Sequence, residues 1–417
     1  MKIKFLSFFT ICLLGMMLSM ANEPLRACTS AIITGKATAD GRPLLWKHRD
    51  TGQEQNRIEY FTTGKYAFLA LVDSRDKGGI AWTGTNNTGF SIMNTASYNL
   101  KDDQVTEMDK EGLVMYRALE ICATLADFEH MLDTLRRPMG VEANFGVIDA
   151  QGGAAYYEVN NHSWVKIDAN DPRIAPNGYL VYTNFSYTGR LNEGSGYVRY
   201  QTASEIFAKK AATLDFTPQW IYTHLSRCFY NAVLGYDLCE PAFSPENGNG
   251  WFLDQDFIPR KSSTCSIVIQ GVKRGDDPLK TTMWTVLGYP PASVCIPLWV
   301  QMGKNQPLLV TKSETSQNAP LCEWAVQLKH KTFPVTRGNG SKYMHFALIY
   351  NQAGTGYMQQ LASLENALFD TYEKAIASWE SKGQVGKKLP QKEVTEMYRN
   401  VSLQIQEMFQ RVEEMEE

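Results

Sequence analysis

The sequence predicts an α+β fold in which helices cover antiparallel sheet, and three observations carry the prediction. Short β-rich segments bounded by turn residues fill 28–100, apolar residues at helical spacing replace them over 110–135, and strands then return with no regular strand–helix alternation. With 417 residues, 44% hydrophobic and 20% charged, the chain can close such layers around a large core, which excludes disorder over most of its length.

In chain order, residues 28–34 are apolar and β-branched, Asp40-Gly41 is a hairpin-type turn, and 43–50 reads as the returning strand. Segments 66–72, 79–85 and 89–95 continue the series, the last two joined by the tight connection Asn86-Asn87-Thr88-Gly89. Leu113, Tyr116, Leu119, Ile121 and Leu125, then Phe128, Met131 and Leu135, predict one or two helices between 110 and 135. Strands at 145–149, 154–159 and 179–185 precede a helical stretch over 199–229. After a Gly-, Pro- and Asn-rich loop at 243–260, strands are expected at 266–272, 281–287 and 294–302. Two apolar stripes follow, one through Leu361, Leu364, Leu368, Tyr372, Ile376 and Trp379, the other through Val394, Met397, Val401, Ile405, Met408, Val412 and Met415. They predict a helical hairpin within 351–417 that packs on a main domain of 28–350.

Lys plus Arg is 41 and Asp plus Glu is 44, with no basic block, which speaks against a nucleic-acid binder. Lys2 and Lys4 precede an apolar run over 5–20 that closes on Ala21, so residues 1–21 read as a secretory signal peptide and 22–27 as a short propeptide. A spanning helix needs roughly 20 strongly apolar residues, more than this run supplies, so no stable membrane span is expected. Without residues 1–27 the chain keeps 38 positive and 43 negative side chains, an acidic protein expected in the periplasm or outside the cell.

Eight cysteines are present and Cys12 leaves with the signal, so the remaining odd number contains at least one thiol that cannot pair within the chain. Cys122, Cys228, Cys239, Cys265, Cys295 and Cys322 show no CxxC or His-rich spacing, and no metal site is expected. Cys28 stands apart. A thiol at about pKa 8.5 is only slightly ionised at neutral pH, but a cut between Ala27 and Cys28 would put an α-amine, reference pKa about 7.7–8.0, on the residue that carries the sulfur.

Cys28-Thr29-Ser30-Ala31-Ile32-Ile33, then Asp40-Gly41, then Leu45-Trp46-Lys47-His48-Arg49-Asp50 resemble the opening of the N-terminal-nucleophile (Ntn) hydrolases that cleave linear amides. That superfamily includes choloylglycine (bile salt) hydrolases, penicillin V acylases, acid ceramidase and N-acylethanolamine amidase, and isopenicillin N acyltransferase. The resemblance implies an αββα sandwich with Cys28 as nucleophile. It puts Lys47 where the family usually has a substrate-contacting Arg, with Arg49 as its potential substitute, and Asp50 as an acceptor holding the α-ammonium. It further implies Asn94 and Asn184 as oxyanion-hole donors and Arg199 as a site arginine. An Asn amide aimed at the developing oxyanion contributes about 3–4 kcal/mol in comparable sites.

The implied activity is acyl transfer to Cys28 followed by hydrolysis of the thioester. It takes a small-molecule amide as partner, such as an N-acyl amine or N-acyl amino acid of bile-salt-like or related kind, and no metal or organic cofactor. Three alternatives stay open. An exported cysteine dipeptidase of the same superfamily shares the first residues after Ala27; Leu25-Arg26-Ala27-Cys28 loosely matches a lipobox, which would make Cys28 the anchor of a non-enzymatic lipoprotein; and a strand cysteine can be merely buried. Acyltransferase chemistry and a homo-oligomer are also left open. His48-Arg49-Asp50 resembles a kinase catalytic loop, but no Gly-rich phosphate loop precedes it. Glu158 is read either as a residue assisting near the site or as a surface carboxylate.

Overall fold

The computed structural model describes residues 27–243, 249–254, 256–313, 315–384 and 389–414; the predicted signal peptide and all of the predicted propeptide except Ala27 lie outside them. Strands β1 (Ala27–Ile33) and β2 (Leu44–Asp50) form the first hairpin, each buried along its whole length. Near-continuous burial fits strands covered on both faces. Seven strands then follow one another as an antiparallel meander in one sheet: β3 (Asn56–Phe61), β4 (Phe68–Asp73), β5 (Thr83–Asn86), β6 (Ser91–Ala96), β7 (Ala143–Ile148), β8 (Ala154–Val159) and β9 (Trp164–Asp168). Strand β10 (Tyr179–Tyr182) returns to the far side of β1, and β11 (Ser263–Gln270), β12 (Thr282–Leu287) and β13 (Ile296–Leu298) extend the sheet beyond β2, giving the order β10-β1-β2-β11-β12-β13.

Helices α1 (Glu111–Ile121) and α2 (Leu125–Thr134) sit between β6 and β7 in the chain and cover the outer face of the meander. Thr124 caps α2 in a reciprocal box with Asp127, whose carboxylate accepts from the Thr124 N–H. The buried Asn86 ties α1 to the β5–β6 hairpin: its amide donates to the Leu119 and Cys122 carbonyls while its oxygen accepts from Thr88 N, and Gly89 closes the turn at φ +79. This brace fixes β6, which carries Asn94.

On the other outer face lie α3 (Tyr197–Ala211), a short helix Pro218–Ile221 running into a π turn at Tyr222–Ser226, and α5 (Tyr357–Ser381). Tyr222 Oη donates to the Trp284 carbonyl and Phe369 of α5 stacks on the Trp284 ring. Helix α4 (Pro320–Thr332) packs near β12, and α6 (Gln391–Glu414) lies against α5, with Tyr398 Oη donating to the Pro297 carbonyl. Half-buried Arg227 grips Glu365 of α5 through two bonds of 2.6 and 2.7 Å. Two sheets face to face with helices outside make the α+β, four-layered sandwich that the sequence predicts.

Several boundaries differ from the sequence prediction. The 79–85 strand starts only at Thr83, because Gly78 and Gly79 take positive φ of 108 and 92 and hold the chain out of the ladder. The 199–229 stretch is two helices, interrupted before the Thr217 N-cap and Pro218. The 294–302 strand stops at Leu298 and coils into a 3₁₀ turn, Val300–Met302. Strands β3 and β9 and helix α4 fall where nothing was predicted.

Candidate active site around Cys28

The register of the β1–β2 hairpin assembles the site. Cys28 lies opposite Arg49 and Ser30 opposite Lys47, so these four side chains share the face toward the meander sheet, while Thr29 and His48 point to the helical side. Ser30 Oγ meets Tyr156 Oη of β8 at 2.9 Å, and Lys47 Nζ reaches Asn94 of β6. Cys28 opens into a small pocket of about 30 Å³ that Lys47, Arg49, Asp50, Trp82 and Asn94 help to line, with Asp109 and Glu111 from the start of α1.

Cys28 is clamped through its backbone. Its nitrogen donates to Asn184 Oδ1 at 2.9 Å and its carbonyl accepts from Arg199 Nη1 at 2.7 Å. Arg199 also donates to Thr29 Oγ1 (3.0 Å), to Asn184 Oδ1 through Nη2 (3.0 Å) and to Asp256 Oδ1 through Nε (2.8 Å). It is fully buried, not the solvated helix residue that a sequence reading would default to. Gly196, just before α3, makes room for it: a Cβ there would lie 2.3 Å from Arg199 Nη2. Asn184 Nδ2 donates to the Ala96 carbonyl at 2.9 Å, so this side chain bridges the two sheets, with its oxygen toward Cys28.

Lys47 is likewise buried and donates to the Trp82 carbonyl and to Asn94 Oδ1, both at 2.6 Å. Burial pulls its ammonium from the ordinary lysine value down to about 8, against the opposing pull of the neighbouring Cys28 sulfur. Because Lys47 can only donate, it holds the Asn94 oxygen and leaves the Asn94 amide nitrogen on the other arm of the side chain.

Asp50 lines the pocket, and its carboxylate accepts from Arg260 Nη2 at 2.7 Å and Ser263 Oγ at 2.6 Å; the acceptor on the Cys28 nitrogen is Asn184. Arg260 also pairs with Asp256, so Asp50, Arg260, Asp256 and Arg199 form one chain of alternating charge. Arg49 is paired with Asp73 at 2.7 Å and lies 4.7 Å over the Trp82 ring. His48 Nε2 meets Ser263 Oγ at 2.9 Å, and burial pushes its imidazole down to about 4, against the pull of Asp50. Glu158 is buried, not a surface carboxylate: it accepts from Tyr182 Oη, Tyr187 N and Thr188 N and so shapes the loop that follows Asn184. Arg260, Asp256 and Ser263 were not singled out from sequence; the only cue was their place in or beside the Gly-, Pro- and Asn-rich loop before β11. Among the described residues, no three His, Cys, Asp or Glu side chains converge as metal ligands would, and the seven described cysteines are free thiols.

No protein-family model matches the chain, and no curated protein matches it. Solved structures similar to it include an N-acylethanolamine-hydrolyzing acid amidase ortholog from Caenorhabditis elegans, 15% identical, covering 46% of this chain and 87% of that one at a TM-score of 0.33. A mutant conjugated bile acid hydrolase from Clostridium perfringens is 13% identical, covering 66% and 92% at 0.39. Penicillin V acylase from Agrobacterium tumefaciens is 12% identical, covering 66% and 86% at 0.36. With TM-scores of this size the likeness is partial, and the chemistry of the site rests on its own geometry.

Proposed function

We propose that the protein is an exported cysteine hydrolase of linear amides, activated when a cut before Cys28 frees an α-amine on the nucleophilic residue. The observation that carries this reading is the clamp on Cys28: Asn184 accepts from its nitrogen and Arg199 donates to its carbonyl, while the side chain faces the Lys47–Asn94 pair. A strand cysteine with only a packing role has no need of a buried arginine and a buried asparagine on its own backbone.

In this mechanism the α-amine takes the thiol proton and sulfur attacks the amide carbonyl. The resulting oxyanion accepts from the Asn94 amide nitrogen, which Lys47 keeps turned toward the pocket. The α-ammonium then protonates the departing amine, and a water molecule, deprotonated by the same α-amine, hydrolyses the thioester. Asn184 acts as the anchor of the α-amine through its oxygen, a different role from the oxyanion donor expected from sequence. Asp50 and Arg260 set the charge around that anchor.

One observation favours the dipeptidase alternative within the same chemistry: five of the ten residues that line the pocket are charged, Lys47, Arg49, Asp50, Asp109 and Glu111, and its volume of about 30 Å³ is small for a long acyl chain. The test is amine release from a panel of N-acyl amines, bile-acid conjugates, β-lactam side-chain amides and dipeptides, with Cys28→Ser as control. Release that survives Cys28→Ser at near-normal rates would overturn the proposed nucleophile.

A further inference from the structure

The far end of the first hairpin opens into a cleft of about 540 Å³ that the chemistry at Cys28 does not use. Cys28 sits at the start of β1, and the turn that joins β1 to β2 begins beyond Ile33, roughly 20 Å away at the rise of a strand. Asp40 and Arg42 of that turn form one wall of the cleft, the β11–β12 loop a second and α5 a third. Its floor is aromatic: Phe216, Trp284 and Phe369 are buried there, with Phe369 stacked on Trp284. An apolar base with a few polar groups converging above it is the usual build of a small-molecule site, and the volume is in the range of such sites.

Seven charged side chains line the cleft, and its two sides differ. The sheet end brings Arg42, Lys273 and Lys280, with Asp40 and Asp276 among them. Helix α5 brings only carboxylates, Glu373 and Glu380, two turns apart on its exposed face. Among the described residues none of the seven forms an ion pair with another. Arg42 Nε and Nη2 donate to the carbonyls of Gly271, Gln270 and Lys280, which fixes the guanidinium, while Nη1 donates to no described residue. Asp40 accepts from Arg42 N and Gln270 Nε2, so its carboxylate is already engaged. Burial pulls the Arg42 pKa down, against the opposing pull of Asp40, Glu380 and Asp276. A cation taken out of water is ordinarily paired. Here separated charges of both signs stand over an aromatic floor, an arrangement complementary to a molecule that carries both.

We propose that this cleft binds a small zwitterion with an apolar side chain, of amino-acid or dipeptide size. Its carboxylate takes the Arg42 Nη1 donors and lies in the field of Lys273 and Lys280, its ammonium faces Glu373 and Glu380, and its side chain rests over the Trp284–Phe369 floor. A molecule with one charge leaves one wall unpaired, and selectivity follows from that difference. The cleft shares no lining residue with the Cys28 pocket, so the proposal does not depend on the reaction assigned there.

The test is calorimetric titration of the chain without its signal peptide, carrying Cys28→Ser so that no amide is turned over. The titrants are phenylalanine, the dipeptide alanylphenylalanine, hydrocinnamate, which lacks the ammonium, and phenethylamine, which lacks the carboxylate. The better of the two zwitterions should bind at least about tenfold more tightly than either singly charged analogue, and which of the two it is separates a free amino acid from a peptide as the source. Glu373→Gln/Glu380→Gln, changed at two exposed positions, should weaken that zwitterion about tenfold and should not weaken hydrocinnamate. Ala377→Trp, which fills the cleft from the exposed face of α5, should abolish the binding. Equal affinity for zwitterions and analogues, no binding of either zwitterion at millimolar concentration, or affinities that neither variant changes overturns the proposal.

Discussion

Lys47 Nζ on β2 lies 2.6 Å from Asn94 Oδ1 on β6, a charge-assisted bond that runs from one sheet to the other beside the Cys28 thiol. A buried ammonium is costly unless it is paired, and the two acceptors here are neutral amide oxygens. Its position is therefore better explained by orienting Asn94 than by stabilising the fold. Asn94→Ala should lower kcat by about 10²–10³-fold with little change in KM, the signature of a group that acts in the transition state.

Lys47→Met separates orientation from stability. Without the ammonium the Asn94 amide is free to turn its oxygen to the pocket, so kcat should fall, while resistance to urea should hold or rise because a buried charge has gone. Lys47→Arg should restore part of the rate. Loss of stability in parallel with loss of rate in Lys47→Met would make Lys47 a structural residue.

The same lysine sets an alkaline limit. Burial brings its pKa down to about 8, so the protonated form that holds Asn94 is lost as pH rises through that value, and kcat should decline there. The α-amine works in the opposite sense, since it must be unprotonated to act as base and so governs the acid side of the profile. In Lys47→Arg the alkaline limb should move up while the acid limb stays. Measured kcat profiles of the two proteins decide between this and a shared limb.

Asn184 can be tested by the direction of one comparison. As an anchor it needs an acceptor for the Cys28 nitrogen and Arg199, which Asp supplies and Ala does not; as an oxyanion donor it would be harmed more by Asp, which repels the oxyanion. Asn184→Asp should therefore retain more activity than Asn184→Ala. The reverse order of kcat values would return the oxyanion role to Asn184.

The first hairpin was legible because both strands, the Asp40-Gly41 turn and the candidate residues from Cys28 to Asp50 lie within 23 consecutive residues, where register follows from counting. Asn94, Asn184 and Arg199 could be placed in order but not aimed. Whether an amide presents oxygen or nitrogen depends on partners such as Lys47, Ala96 and Arg199 that are distant in the chain. Arg260 and Asp256 were missed because a charged pair beside an irregular loop looks like ordinary surface until the loop folds back over β2. Strand β9 escaped notice as a short, half-exposed edge, where little apolar alternation is required.

His48 predicts an acid sensitivity of the fold. Its folded pKa, near 4, is below the unfolded reference of about 6.5, so the unfolded chain binds the proton first and stability is lost as pH falls between those values. The neutral variant His48→Gln should lose about 2 kcal/mol less than the natural protein between about pH 7 and pH 5. Urea denaturation at the two pH values checks this, and equal losses would assign the acid sensitivity to other groups.

The central claim is that the α-amine and thiol of one residue perform the chemistry, and the N-terminal sequence of the active protein tests it most directly. Protein purified from the culture and shown to release amine from an amide substrate should begin at an unmodified Cys28. Full activity in a chain that begins at Asn22, or a lipid-modified Cys28 in the active protein, would contradict it.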